Sequence, residues 1–251
     1  MKKRFKSGKI EYDVAMKRLD SYLVKNDFVE SRNKAQTLVK EGFVYVNDKV
    51  IKKSSFGVDE YDEVVVAQHK AYVSRAALKL EHFLEETGLH VKGKIALDIG
   101  SSTGGFTQVL LERDVKAVSC VDVGREQLHH SLREDNRVNV YEGCDIRKFE
   151  SNEPFELIVS DVAFISLLYI LDDVDRLASG DIVLLFKPQF EVGREAKRDK
   201  NGVVLDQKAI KRAMQKFEDA CAIKNWQLVK KSPSKLTGKE GNQEWCYYFL
   251  K

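Results

Sequence analysis

The stretch that most constrains this chain is Ile95-Ala96-Leu97-Asp98-Ile99-Gly100-Ser101-Ser102-Thr103-Gly104-Gly105-Phe106. A short apolar run carrying one acid breaks into a glycine-rich turn and then into an apolar helical pattern. That order reads as a buried parallel strand handing its backbone to a helix, with a ligand at the turn. Gly100, Gly104 and Gly105 let main-chain atoms approach a ligand more closely than a Cβ would permit. The spacing is GxxxGG, which departs from the GxGxxG of dinucleotide sites and from the GxxxxGK[ST] of nucleoside triphosphate sites.

The alternation continues to the end of the chain. Strand-like runs at 94–98, 117–122, 138–141, 155–161 and 182–186 are interleaved with helical patterns at 107–112 and 167–177, and a long amphipathic helix is predicted at 207–225. This predicts an α/β domain: a mostly parallel sheet with helices on both faces. The close pair 226–230 and 244–250 adds an antiparallel edge. Ligands of such sheets bind outside the carboxyl ends of the strands, and here those ends carry Asp98, Asp122, Asp145, Asp161 and Lys187. An acid closing the second strand suits a ribose diol, and a loop without phosphate-binding spacing suits a nucleoside lacking pyrophosphate. An S-adenosyl group is such a ligand. Gly100, Ser101, Ser102, Thr103, Gly104, Gly105 and Phe106 would then hold its amino-acid end, Asp122 its ribose and Asp145 its adenine edge, with Asp161 in reach of the donor.

The charge is uneven. Up to residue 75 there are 16 Lys and Arg against 11 Asp and Glu, so this part carries +5 and the remainder −2 of the net +3. A basic end on a near-neutral body suggests a polyanion-binding appendage. Residues 1–15 read as a basic arm without periodic pattern. Residues 16–66 read as a small α+β domain. Leu19, Tyr22 and Leu23 keep helical spacing, and Ser31 caps a second helix, 32–41, which Gly42 stops. Strands at 43–46 and 64–66 follow, with a turn at Asn47-Asp48. A stiff linker is expected at 67–73, and Ser74 is the expected N-cap of a helix 75–87, on which Lys79 reads locally as a surface lysine. Arg18-Leu19-Asp20, Ser31-Arg32 with Ala35, and Gly42 with Val44, Val46 and Asn47 resemble the small αL-type RNA-binding module. That module also occurs in a small-subunit ribosomal protein, pseudouridine synthases and tyrosyl-tRNA synthetases. The resemblance implies that Arg18, Ser31 and Arg32 lie near RNA backbone, and Lys34 falls beside them.

A second resemblance spans about residues 16–250. Gly100-Ser-Ser-Thr-Gly-Gly-Phe106, preceded by Val73-Ser-Arg-Ala-Ala-Leu-Lys-Leu80 and followed by Ser160-Asp-Val162, Phe186-Lys-Pro-Gln-Phe-Glu191 and Gly241-Asn-Gln-Glu244, is similar to the TlyA (haemolysin A) family. The resemblance implies a Rossmann-like class I methyltransferase domain of the FtsJ type at 74–251, using S-adenosyl-L-methionine. It implies 2′-O-methylation of a cytidine in large-subunit ribosomal RNA, and in some relatives of a small-subunit cytidine too. Matched motif by motif, the family's Lys-Asp-Lys-Glu tetrad falls on Lys79, Asp161, Lys187 and Glu244. A ribose hydroxyl is a poor acid, so its attack on a methyl group needs a base. Lys187, closing an apolar strand, is the expected base, with Asp161 and Glu244 orienting the two lysines.

Other classes fit less well. The cysteines at 120, 144, 221 and 246 form no CxxC pair, so neither a zinc site nor a disulfide framework is expected, and no metal is called for. Such usage fits a reducing, cytoplasmic compartment. The start Met1-Lys2-Lys3-Arg4 runs into charged residues and shows no secretory leader, and no apolar run approaches the ~18 residues of a membrane span. His129-His130 reads as solvated surface, and residues 194–201 as a charged loop near the site mouth. Against the enzyme stand two alternatives. A membrane-active haemolysin lacks a visible leader or span. A non-catalytic RNA-binding protein has no need of all four tetrad residues.

Overall fold

The computed structural model describes residues 3–6, 9–12, 16–66 and 72–251. The chain separates into two compact units, one up to Ala71 and one from Tyr72. Residues 67–71 of the expected linker lie outside the described residues, as do 1, 2, 7, 8 and 13–15 of the expected arm. The rest of that arm is not patternless. β1 (Lys3–Lys6) pairs antiparallel with β2 (Lys9–Tyr12), with Phe5 opposite Ile10. Phe5, Ile10 and Tyr12 alternate with charged residues, a period of two.

The remainder of the first unit packs two helices on short strands. β3 (Lys17–Arg18) leads into α1 (Leu19–Lys25), and α2 (Arg32–Glu41) follows. β4 (Val44–Val46) and β5 (Lys49–Val50) form a hairpin, β6 (Gly57–Val58) pairs with β3, and β7 (Val64–Val66) pairs with β4. Asn47 and Asp48 both have positive φ, as a two-residue hairpin turn requires. The Ser31 hydroxyl accepts from the Lys34 amide at 3.3 Å, and Gly42 ends α2 in the left-handed region. Leu19, Leu23, Ala35, Leu38, Val39, Val44, Val46 and Val58 make the core.

The second unit begins with α3 (Ala76–Thr87), β8 (Ile95–Ile99) and α4 (Gly105–Glu112). It continues through β9 (Ala117–Asp122), α5 (His130–Arg133), β10 (Val138–Glu142), β11 (Phe155–Ser160), α6 (Leu171–Leu177) and β12 (Ala178–Phe186). It ends with α7 (Pro188–Glu191), α8 (Gln207–Ile223), β13 (Gln227–Pro233) and β14 (Trp245–Leu250). Seven strands form one sheet in the order β10-β9-β8-β11-β12-β14-β13. The first five are parallel, and β14 and β13 are antiparallel, so the expected edge pair is inserted with β14 beside β12. Alternate strand residues cover opposite faces. Ala96, Val118, Leu157, Val159, Val183 and Leu185 pack with α3 and α4, whereas Leu97, Ile99, Val121, Ile158, Ile182 and Leu184 pack with α6 and α8.

Two expectations change here. Ser74 does not cap α3: the N-cap position is Arg75, without a side-chain capping bond. Asp98 is not at the rim but inside β8, fully buried. Its Oδ2 accepts from the Thr107 amide at 3.0 Å and from the Thr107 hydroxyl at 2.7 Å. Asp98 therefore ties the strand to the first turn of α4 and closes the glycine loop between them. Burial is the main reason its carboxyl is pushed up to about 7, Thr107 opposing and the nearby Asp161 adding to it.

The native state thus holds a proton on Asp98 between about pH 4 and 7 that the unfolded chain has released, so stability falls as pH rises through this window. The shift corresponds to about 4 kcal/mol. Urea unfolding followed by the fluorescence of Trp226 and Trp245, both in the second unit, is expected to show this decline, and Asp98→Asn to abolish most of it. Equal pH slopes for the two proteins would show that Asp98 is not the group responsible.

Candidate active site

Two cavities adjoin at the carboxyl end of the parallel strands. One, of about 540 Å³, lies between the loops after β8, β9, β10 and β11. The other, of about 570 Å³, lies between the glycine loop, the start of α3 and the end of β12. Gly100, Ser102, Asp161 and Ala163 line both.

The first cavity is acidic with apolar walls. Val121, Val123, Ile146, Ile165 and Ile170 form the walls, and Asp122, Asp145 and Asp161 supply carboxylates. Asp122 accepts from the Ser102 amide at 2.8 Å and the Gly124 amide at 2.7 Å. One oxygen serves each amide, leaving lone pairs for a diol. Asp145 caps the following 3₁₀ turn and pairs with Arg147 at 2.5 Å. That guanidinium, opposed in part by burial, holds the Asp145 carboxyl down at about 2, so it is anionic at neutral pH. Glu142, at the end of β10, accepts from the amides of Glu126, Gln127 and Leu128 at 2.7–2.9 Å and pairs with Arg133. It was not singled out from the sequence, yet it pins the loop that carries Gln127 to the cavity wall. A side chain on Gly100 would place its Cβ 3.1 Å from Val162 Cα, and Gly100 has φ +77°. The strand end is passed at a distance only glycine allows.

The second cavity is rich in cations. Arg75, Lys79, Lys187 and Lys239 line it, with Ser74, Asp98, Ser101, Thr103, Gly105, Phe106 and Asp161. Lys79 from α3 pairs with Glu244 at 2.6 Å, and Lys187 from the end of β12 pairs with Asp161 at 2.5 Å. Lys187 also donates to the Asp161 carbonyl at 3.2 Å. Lys187 and Glu244 are buried, and Gln189 donates to the second Glu244 oxygen at 3.2 Å. Gly238 faces that oxygen, and a Cβ there would lie 2.6 Å from it. Segments 79, 161, 187 and 244 are thus brought together as two ion pairs. Lys79 is not the surface lysine its local sequence suggests.

Of the seven loop residues read from the sequence, Gly104 lines neither cavity. It starts α4 at φ +95°, and a Cβ there would lie 2.3 Å from Leu132 and 2.7 Å from Leu128. Its job is packing. Arg75, Gln189 and Lys239 are additions. The first two lie inside the motifs quoted above, whereas Lys239 sits in a turn without regular pattern. Phe164, in the left-handed region at φ +66° and 92% exposed, borders the first cavity with its ring 5.3 Å from Phe190. His129 and His130 are exposed, and the His129 ring caps α5.

In the first unit the organising residue is Asp20, a fully buried carboxylate. It accepts from Arg18 at 2.9 Å, Arg32 at 3.2 Å and Gln36 at 3.0 Å. Arg18, against the cost of burial, and the other donors hold its carboxyl well below the ordinary range. Both guanidinium side chains stay about half exposed, and Ser31 and Lys34 are exposed at the same helix start.

Two family models match the chain: an S4 domain over residues 17–64 and an FtsJ-like methyltransferase over residues 72–251. A 23S rRNA (cytidine-2′-O)-methyltransferase TlyA of Campylobacter jejuni is 46% identical over 88% of this chain and 94% of its own length. A 16S/23S rRNA (cytidine-2′-O)-methyltransferase TlyA of Mycobacterium tuberculosis is 38% identical over 93% of this chain and 88% of its own. A solved structure from Streptococcus thermophilus, described as a hemolysin, matches with TM-score 0.69 and 33% identity, covering 94% of this chain and 88% of that one. With an S4 domain followed by an FtsJ-like domain, and with this likeness over nearly its whole length, the chain belongs to the TlyA family of FtsJ-like methyltransferases.

Proposed function

We propose that the protein transfers a methyl group from S-adenosyl-L-methionine to the ribose 2′-hydroxyl of a cytidine in ribosomal RNA. The observation that carries this reading is the pair of ion pairs, Lys79–Glu244 and Lys187–Asp161, whose lysines line the cation-rich cavity and of which Asp161 also lines the acid-rich one. Buried ion pairs contribute little net stability, and apolar residues of like volume often do better. A scaffold that only binds RNA would have no use for them.

The acid-lined cavity suits a nucleoside: apolar walls for a base and Asp122 for a diol. Asp98 Oδ1 and Ser101 Oγ are buried polar atoms without a partner among the described residues, and both residues border the second cavity. They fit the ammonium and carboxylate of an amino acid. When bound, the donor supplies a methyl group on a sulfonium. This chain's residues do the rest. Asp161, lining both cavities, complements positive charge at their junction. In its neutral form Lys187 takes the hydroxyl proton at Nζ, and the Asp161 carboxylate at 2.5 Å then holds the ammonium so formed as the ion pair. Glu244, fixed by Gln189, keeps Lys79 pointed at the same space. Lys79, Arg75 and Lys239 favour a substrate carrying phosphates on either side of the ribose, and the Phe164–Phe190 rings offer faces for a base.

In the first unit, Arg18 and Arg32, held by Asp20, with Ser31 and Lys34, form the RNA-binding face. The higher identity to the relative named for 23S rRNA favours a large-subunit target. Such a substrate places the protein with ribosomes in the cytoplasm. The haemolysin alternative has no use for the two buried ion pairs; among the described residues no helix is long and apolar enough to cross a membrane.

Lys187→Ala is expected to lower methyl transfer to ribosomal subunits by about 10²–10⁴-fold, while S-adenosylmethionine binding by calorimetry stays within a few-fold. Near-normal turnover would remove Lys187 as the base. Arg18→Ala with Arg32→Ala is expected to weaken rRNA binding and to reduce the slope of log K against log salt by about 1.4–1.8. An unchanged slope would take these two residues out of the RNA-binding face.

A further inference from the structure

Helix α8 carries a charge pattern that the proposed reaction leaves unused. Lys208, Lys211, Arg212 and Lys216 recur at three- and four-residue spacing, so they share one face of the helix. All four are exposed, and none makes an ion pair or side-chain hydrogen bond among the described residues. Two other exposed lysines of the same unit, Lys92 and Lys231, pair with Asp114 and Glu218.

The placement runs against helix stability. Cations favour the C-terminal end of a helix and acids the N-terminal end. In α8 three of the four cations lie in the first two turns, where the N-cap Asp206, which accepts from the Ala209 amide at 2.9 Å, is a single acid against three cations, and the acids Glu218 and Asp219 lie in the last two. An arrangement that stabilised the helix would have the opposite polarity. The opposite face is ordinary core: Phe217 and Cys221 pack on the sheet.

The stripe starts beside the active site. Ala209 and Ile210 pack with Val192, just past α7, and with Trp245, the neighbour of Glu244. The Val204 amide, just ahead of the helix, donates to Asn242 at 2.9 Å. The first turns of α8 are thus one packing layer from the segments carrying Lys187 and Glu244.

We propose that this face of α8 is a second RNA-binding surface, on the catalytic unit itself, holding phosphates of the rRNA backbone that flanks the target nucleotide. This rests on the rRNA reading above. Residues this exposed can be replaced without loss of core contacts, and alanine favours helix.

The test uses the full-length protein with Lys211→Ala, Arg212→Ala and Lys216→Ala combined, and the same three changed to Glu. Wild-type and variants are compared for methyl transfer to ribosomal subunits, for rRNA binding between 50 and about 200 mM salt, and for S-adenosylmethionine binding. For the alanine variant, KM for subunits is expected to rise about tenfold or more, with the salt slope lower by about 2–3. kcat and donor affinity are expected within twofold of wild type, and the Glu variant to be weaker still. An unchanged KM and salt slope in both variants would overturn the proposal and leave α8 a solvated face. Loss of binding to anionic phospholipid vesicles, with rRNA binding intact, would overturn it in favour of a membrane surface. If the wild-type protein binds rRNA but methylates none, the proposed function falls while the salt slopes still decide the role of α8; no rRNA binding at all overturns both.

Discussion

The catalytic unit depends on a carboxylate placed where water does not reach. Asp98 sits inside the central strand β8, and its oxygen takes both the amide and the hydroxyl of Thr107. Those two bonds fix the first turn of α4 against the strand, and the loop from Gly100 to Gly104 must bridge the gap. Its path then follows: Gly100 passes Val162 too closely for a Cβ, Ser102 turns its amide to Asp122, and Gly104 slots against Leu128 and Leu132. A leucine at position 98 would satisfy the core but leave the Thr107 donors unpaired, at a cost of about 1–3 kcal/mol for such a buried group. The acid is therefore structural first, and its second oxygen faces the site as a consequence.

The same economy holds for the two ion pairs. Each joins a lysine lining the second cavity to an acid on a different segment, so α3 is tied to the start of β14, and the end of β11 to the end of β12. Among strands β11 and β12 this adds to an existing ladder. Between α3 and β14 it adds a polar link over Cys246, whose thiol burial pushes up to about 12. The four charges balance locally, which lets them sit in a dry site where an unpaired one could not.

Much of this was legible in the sequence, and what was not has physical reasons. Strands β8, β9, β11 and β12 read correctly because both faces of a parallel sheet are buried and the runs are continuously apolar. The turn between β8 and α4 was legible because its φ values favour glycine at 100 and 104. Ser74 misled because an N-cap preference is a local statistic, whereas here Ser74 lies against Gly105, where a Cβ would meet its hydroxyl. The depth of Asp98 was hidden because strand ends are uncertain by a residue, and one residue separates rim from core. The role of Asp20 was hidden because three of its partners are 2, 12 and 16 residues away. Lys239 belongs to a turn whose shape is set by Glu244 and Asn242, not by any local period. Helix α8 was read only as long and amphipathic, and its cations at 208, 211, 212 and 216 were not singled out.

Charge is divided over the molecule in a way that fits one polyanion held at several points. The first cavity collects acids, which repel phosphate and suit a cationic nucleoside; the second collects cations, which do the reverse. Gly100, Ser102, Asp161 and Ala163 are the boundary between them. A phosphate drawn to Lys79, Arg75 and Lys239 in the second cavity would meet Asp122, Asp145 and Asp161 in the first. Field of this kind orients but does not select sequence. Selection of one nucleotide among thousands then has to come from the shape of the folded RNA. On the proposed function Arg18 and Arg32 of the small unit would be one contact and the exposed cations of α8 another. Two contacts on one RNA would fix its direction as well as its position, which one contact cannot.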